Sequence, residues 1–268
     1  MKQATIFLVV IIFTILLLFP LYIMFKISVS QPSDIFTEKP SYLIRHFTLS
    51  HFKDIFASRG TFFLPLRKSL VVALLSTFFS LLIAIPSAYA ISKFNYRLRY
   101  ILILLIFMLR MMPEISIALP ISIGFIKIGL FDTYFGLAIA HLIKILPVAC
   151  FILVGIFSSI PIDLEKQARI DGCSRLRAFI WIVLPLSLSG IVVAGIFSFL
   201  LSWDEFIYAS YLTLAHPTLP LKMYYYVSHP DIFYSATYAM IITIPVLILT
   251  FTFQKYIKAE YLSGAIKG

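Results

Sequence analysis

Charge is scarce in this chain: Asp, Glu, Lys and Arg make up 13% of its 268 residues, while hydrophobic residues make up 61%. A soluble globular domain carries about 25% charged residues, so that class is excluded and the chain belongs in a bilayer. Acids are scarcer still, twelve against 22 Lys and Arg, and they are scattered, as are the five histidines. A membrane-embedded lipid-phosphate or prenyl transferase would need acids or His clustered at the membrane face to hold Mg²⁺, which makes that reading poor. The two cysteines, Cys150 and Cys173, both fall on the expected reducing side, and no disulfide is expected. Glycine numbers only ten and no Gly-x-x-x-x-Gly-Lys-Ser/Thr run occurs, so the chain cannot hydrolyse ATP itself. No internal repeat is visible, which weakens a stand-alone channel or secondary transporter.

What is present is apolar sequence in long runs. Six stretches reach the roughly 20 apolar residues of a spanning helix: 4–26, 69–92, 101–124, 134–157, 187–208 and 236–254. The fold class expected is an all-α membrane protein with six transmembrane helices in one domain over residues 1–268. The first stretch has no small-residue cleavage site after it and reads as a retained helix. Cations crowd the short loop 93–100, the 158–185 loop and the tail after Gln254, so these are expected in the cytoplasm, with both termini. The loop 28–67 also holds five Lys and Arg, diluted over 40 residues, and is expected to include a short interfacial helix near 49–56. Its role is spacing or the docking of a partner. The net charge of +10 sits at membrane edges, where anionic lipid accounts for it and a nucleic-acid partner is not needed.

Between the fourth and fifth stretches lies a polar interruption of 28 residues, Ser158 to Pro185. Pro161 can open a helix without wasting a backbone donor, Asp163 and Glu165 suit its first turn, and Gly172 can end it in a left-handed cap. Ser174 can then cap a second helix carrying Arg175 and Arg177 and running to Pro185. The expected product is a charged helix-turn-helix at the membrane surface.

Several residues inside the stretches are chemically conspicuous. Small residues recur at steps of three and four in the second (Ser69, Ala73, Ser76, Ser80, Ala84, Ser87) and the fifth (Ser187, Gly190, Ala194, Ser198, Ser202). Such stripes are usually helix-packing seams, with lining of a pathway the minority reading. Pro113 and Pro120 should kink or break the third stretch. Arg110 and Glu114 are four apart and share a helical face, where they can pair, and the other reading is that one of them faces cargo. Lys144 and His141 pose the same question in the fourth, and Glu114 can relieve the cost of Lys144. Asp132 and Thr133 read as ordinary caps. Trp203, Asp204 and Tyr208 close the fifth stretch either as an aromatic belt or as groups that stack on and hydrogen-bond to a polyhydroxylated ligand.

The 158–185 loop resembles the cytoplasmic EAA loop of permease subunits in bacterial binding-protein-dependent ABC importers. Gly172, Ile182, Leu184 and Pro185 fall at that family's intervals, and Ile170-Asp171-Gly172 is its usual wording. The Glu-Ala-Ala triplet itself reads Lys166-Gln167-Ala168, with Glu165 one residue early and about 100° away around the helix. Further fragments resemble the maltose-type carbohydrate branch: Ala88-Tyr89-Ala90-Ile91-Ser92-Lys93-Phe94, the run Gly129 to Leu137, Ser202-Trp203-Asp204-Glu205-Phe206, Phe253-Gln254-Lys255-Tyr256 and Gly264-Ala265-Ile266-Lys267-Gly268. Asp204 and Lys68 stand where that branch has Asn, and Glu260 where it has glycine.

The resemblance implies one of two permease subunits of an ATP-driven importer for a sugar or oligosaccharide. Its implied partners are a second permease, two ATPase subunits and an extracytoplasmic solute-binding protein. Coupling to the ATPase would fall to Glu165, Lys166, Gln167, Ala168, Asp171 and Gly172. The substrate path would draw on Arg110, Glu114, Trp203, Asp204 and Tyr208. No cofactor is expected on this chain, ATP and Mg being held by the ATPase. Arg110 and Lys144 keep glycerol phosphate or a polyol open as the cargo.

Overall fold

A computed structural model describes residues 2–39, 41–57, 59–229 and 231–265, with side chains for 5–39, 41–57, 62–229 and 231–254. The tail fragment from Lys255 onward therefore lies outside the described side chains, and Ile266 to Gly268 outside the described residues. Helices run in the order α1 (Lys2–Ser28), α2 (Pro32–Ile35), α3 (Ser50–Ala57), α4 (Arg59–Ser92), α5 (Tyr96–Arg110), α6 (Glu114–Lys127) and α7 (Tyr134–Ser159). There follow α8 (Ile162–Ile170), α9 (Arg175–Ala178), a π-helical segment Phe179–Val183, α10 (Leu184–Leu186), α11 (Leu188–Trp203), α12 (Ile207–Leu212), α13 (Leu219–Ser228) and α14 (Ile232–Ala265). Among the described residues the only strand-like pairing is one antiparallel bridge, Ser30 with Phe47.

Four helices are long and apolar enough to cross a membrane unbroken: Thr5–Ser28, Phe62–Ser92, Tyr134–Ser159 and Ile232–Gln254. Two more stretches qualify only as bent pairs, Tyr96–Arg110 with Glu114–Lys127 at 78° and Arg175–Leu186 with Leu188–Trp203 at 74°. The protein is thus a multi-pass membrane protein. The expected third stretch breaks where Pro113 removes a donor, and Pro113 becomes the residue that introduces α6. The expected fifth stretch does not reach Tyr208 as one helix. The Glu205 carboxylate accepts the N–H groups of Tyr208 (2.9 Å) and Ala209 (3.1 Å), which starts α12 as a separate element.

The contacts group into two compact units, Met1–Leu66 with Thr218–Val246 and Arg67–Pro217 with Leu247–Gly268. In the first, the segment after α1 is folded rather than a bare spacer. Thr48 N–H donates to Val29 O (2.8 Å), and Asp34 accepts both the N–H and Nδ1 of His46 (3.0 and 2.8 Å). The buried Lys26 ammonium donates to Ser41 O. The expected interfacial helix is α3, whose His51 ring stacks on Phe233 at 4.8 Å while its Nε2 reaches Ser30 O at 3.1 Å. Helix α13 lay unread in the sequence; its Tyr226 stacks on Tyr238 at 5.3 Å.

In the second unit the small-residue stripes are seams. Ser69, Ala73, Ser76, Ser80 and Ala84 on α4 are buried, as are Gly190, Ala194, Ser198 and Ser202 on α11, with Ser187 just before it. Ser76 Oγ donates to Ala138 O (3.2 Å), and Ser80 and Ser198 hydroxyls meet at 3.3 Å. Helices α7 and α11 approach so closely that a Cβ on Gly190 would lie 1.9 Å from Ile156 Cδ1. Small side chains permit that approach, as expected where lipid gives apolar side chains no hydrophobic reason to associate.

Candidate functional site

Two places in the second unit gather chemically active side chains. The first is the loop between α7 and α11. Pro161 precedes α8, Asp163 and Glu165 lie in its first turn, and Arg169 lies in its last, each charge matched to the helix dipole. Gly172 takes φ +90°, and its N–H reaches Arg169 O (3.2 Å) while Cys173 N–H reaches Ala168 O (2.9 Å). Those two bonds form a Schellman cap, which satisfies two carbonyls a helix end would otherwise leave open. Ser174 Oγ then accepts Arg177 N–H at 3.3 Å and opens the second helix. That helix widens into the π segment just before Pro185: Leu184 N–H donates to Phe179 O, five residues back. A proline lacks a donor and crowds the preceding turn, and a π turn relieves both. The direction changes by 74° at Ser187.

Of the expected coupling residues, Lys166, Gln167, Asp171 and Gly172 are exposed, and Glu165 and Ala168 are buried. Lys166 pairs with Asp163 at 3.0 Å in the open, a contact of small energetic weight. Leu164 is exposed while Ala168, four residues on, is buried. Glu165 turns back to the last turns of α4, where it accepts from Tyr89 Oη (2.9 Å) and pairs with the Lys93 ammonium. The 100° that separates it from the Lys166 position carries it off the exposed face and onto the buried one.

The second place lies around the α5–α6 break. Glu114 does not share a continuous helical face with Arg110, because residues 111–113 separate the two helices; it pairs with Lys144 of α7 at 3.3 Å. Arg110 Nη1 donates instead to Lys144 O at 3.4 Å. With Tyr208 these three line one small cavity. Asp204 is exposed just beyond α11, near enough to Lys144 to feel its charge.

Trp203 and Tyr208 are each 1% exposed, so neither belongs to an interfacial aromatic belt. Trp203 stacks on Phe199 at 5.8 Å, inside the protein. Of the expected path residues, Arg110, Glu114 and Tyr208 are brought together and Trp203 is held apart as packing.

The partners of His141 and of Asp132 were not read from the sequence. His141, buried on α7, has Nδ1 2.7 Å from Ser202 Oγ and Nε2 3.2 Å from Glu205 Oε2, close enough for an ion pair though out of line for a hydrogen bond. Glu205 thereby ties the start of α12 to α7, and its place three residues before Tyr208 was the available signal. Asp132 is not a helix cap. It adopts φ +55°, and its carboxylate takes the buried Lys68 ammonium (2.9 Å), Ala215 N–H (3.0 Å) and His216 Nδ1 (3.3 Å). Burial opposes ionisation of Asp132, but Lys68 and the Ala215 N–H outweigh it and hold the carboxyl below its ordinary range. Thr133 caps α7 as expected, accepting Gly136 N–H at 2.9 Å.

Residues 69–261 match the family described as binding-protein-dependent transport system inner membrane component. The chain is 32% identical, over 82% of its length and 79% of the relative, to the sulfoquinovosyl glycerol transport system permease protein SmoH of Agrobacterium fabrum. It is also 32% identical, over 82% of both chains, to the trehalose transport system permease protein SugB of Mycobacterium tuberculosis. Its fold is similar to a chain in the crystal structure of a bacterial ABC transporter that imports the acidic polysaccharide alginate, with TM-score 0.76, 19% identity and 95% and 96% of the two chains covered. The chain belongs to the binding-protein-dependent transport system inner membrane component family.

Proposed function

We propose that this chain is one of two permease subunits forming the translocation path of an ATP-driven importer, and that its cargo is a sugar or oligosaccharide delivered by an extracytoplasmic binding protein. The two units act as one permease domain with six spans, each bent pair counting as one, and with both termini and the 158–185 loop in the cytoplasm. The observation that carries this reading is the exposed, doubly capped helix-turn-helix between α7 and α11, inside the family-matched stretch. Helix α8 offers Lys166, Gln167 and Asp171 to a cleft on one of two ATPase subunits, which hold the ATP and Mg. This chain carries no cofactor, and its function is translocation rather than catalysis.

The charge balance at the α5–α6 break favours neutral cargo over glycerol phosphate. Lys144 is offset by Glu114, with which it pairs, and by Asp204, whose carboxyl feels its charge, so that with Arg110 there are two cations against two acids. Charges held in a membrane protein face its interior or a watery cavity, and matched ones present hydroxyl-binding donors and acceptors without selecting an anion. The test is uptake of radiolabelled candidates by cells with and without this gene. A neutral di- or oligosaccharide should lose uptake on deletion; loss confined to a phosphorylated polyol would overturn the cargo assignment.

A further inference from the structure

Helix α8 presents Lys166 and Gln167 outward, yet its one buried carboxylate points the other way. Glu165 is 9% exposed, and its partners are Tyr89 in the last turn of α4 and Lys93, the residue that follows that helix. Tyr89 is packed into the protein, and the exposed Lys93 is held against it. The Tyr89 ring lies 4.4 Å from Phe179 of the π segment and 5.9 Å, edge-on, from Phe157 of α7. The Lys93 ammonium sits 4.7 Å from the centroid of that same ring. The phenol that grips Glu165 is therefore fixed to the packed core, and the ammonium lies over its ring.

The covalent routes out of α8 are by comparison jointed. Toward α11 the chain passes the Gly172 turn, the π segment and the 74° bend at Ser187; toward α7 it passes the extended residues at Ile160 and Pro161. No covalent route of comparable length leads to α4. A charge-assisted pair reinforced by a phenol hydrogen bond is a short, directional link that supplies one.

We propose that Glu165 is a positioning residue, a latch that fixes the coupling helix to the cytoplasmic end of α4, so that ATPase-driven displacement of α8 moves that spanning helix directly. The proposal rests on the coupling role given to α8 above. It assigns Glu165 a task inside this chain, while contact with the ATPase falls to the exposed Lys166 and Gln167. Helix α4 meets α11 at Ser80 and Ser198, so the latch and the covalent route converge on the same pair of spanning helices.

The test uses the complete importer in vesicles and reads cargo taken up per ATP hydrolysed. Removing one member of a network that couples two sites changes the coupling by about two- to thirtyfold. Glu165→Gln, Lys93→Glu and Tyr89→Phe should lower the ratio in that range, and the swap Glu165→Lys with Lys93→Glu should restore it. A cysteine at Gln167 should crosslink to the ATPase in every variant, because the outward face is untouched. An unchanged ratio in the single variants, with that crosslink present, would overturn the latch and leave docking intact. Should a single variant fail to assemble, the swap decides: assembly recovered without the ratio means a packing role only. No crosslink from Gln167 in the otherwise unaltered importer would remove docking, and the latch with it.

Discussion

Replacing Gly172 isolates the backbone contribution to the turn between α8 and α9. A Cβ at this position would meet nothing within 4 Å, so no steric clash contributes, and the φ of +90° supplies the whole cost. For an L-residue that cost is about 1–2 kcal/mol, least for Asn, and up to ~3 kcal/mol for a β-branched side chain. The alternative conformers give up the two Schellman bonds and free the carbonyls of Ala168 and Arg169. Arg169 and Arg175 flank the turn and make trypsin a direct probe of its opening. When opening is fast relative to cutting, cleavage follows the open population, so Gly172→Ala should be nicked about five- to thirtyfold faster. Gly172→Asn should stay near the parent, and Gly172→Val should be cut fastest and transport least. Equal cleavage of the parent and Gly172→Val in assembled complex would refute the assignment of the turn to left-handed backbone.

Gly190→Ala forces Ile156 aside at the α7–α11 crossing and should lower the melting temperature of the purified complex; adding Ile156→Ala, which removes the atoms 1.9 to 3.0 Å from the new Cβ, should recover most of the loss. Glu114→Gln should lower assembled complex for every cargo, and Lys144→Met should restore it in the double variant. Its cost falls between the ~0–1 kcal/mol of an exposed pair and the ~3–5 kcal/mol of a buried one, since 33% and 20% of the two side chains remain exposed. The Asp132 carboxyl is held below its ordinary value of 3.8, so its stabilisation is fully present above that value and lost as pH falls below it. Hydrogen exchange at Ala215 should therefore rise below about pH 4, and Asp132→Asn should remove that pH dependence.

The four unbroken apolar helices were legible because each is long enough to cross a bilayer, the third and fifth stretches only as apolar sequence that the structure bends, and the turn after α8 because Pro161, Gly172 and Ser174 act through local backbone rules. Pro113 announced the break in the third stretch for the same reason. What the break did to Arg110 and Glu114 was not legible: an i, i+4 relation exists only while the helix continues, and here Glu114 finds its partner 30 residues away. The belt reading of Trp203 and Tyr208 failed because a position near the end of an apolar stretch does not say which side chains the neighbouring helices cover. Asp132 looked like a cap because Asp commonly caps helices; its real partners, Lys68 and Ala215, are 64 and 83 residues distant. The inward turn of Glu165 follows from its phase on α8, but its partners on α4 depend on packing that no local rule encodes.

The most direct test of the account is a cysteine scan of residues 163 to 172 against the surface of the ATPase in native membranes. Crosslinks should form from the exposed positions, Lys166, Gln167 and Asp171, and fail from the buried Glu165 and Ala168. Crosslinks from none of these positions, in a complex that still transports, would contradict the claim that this loop receives the work of ATP hydrolysis.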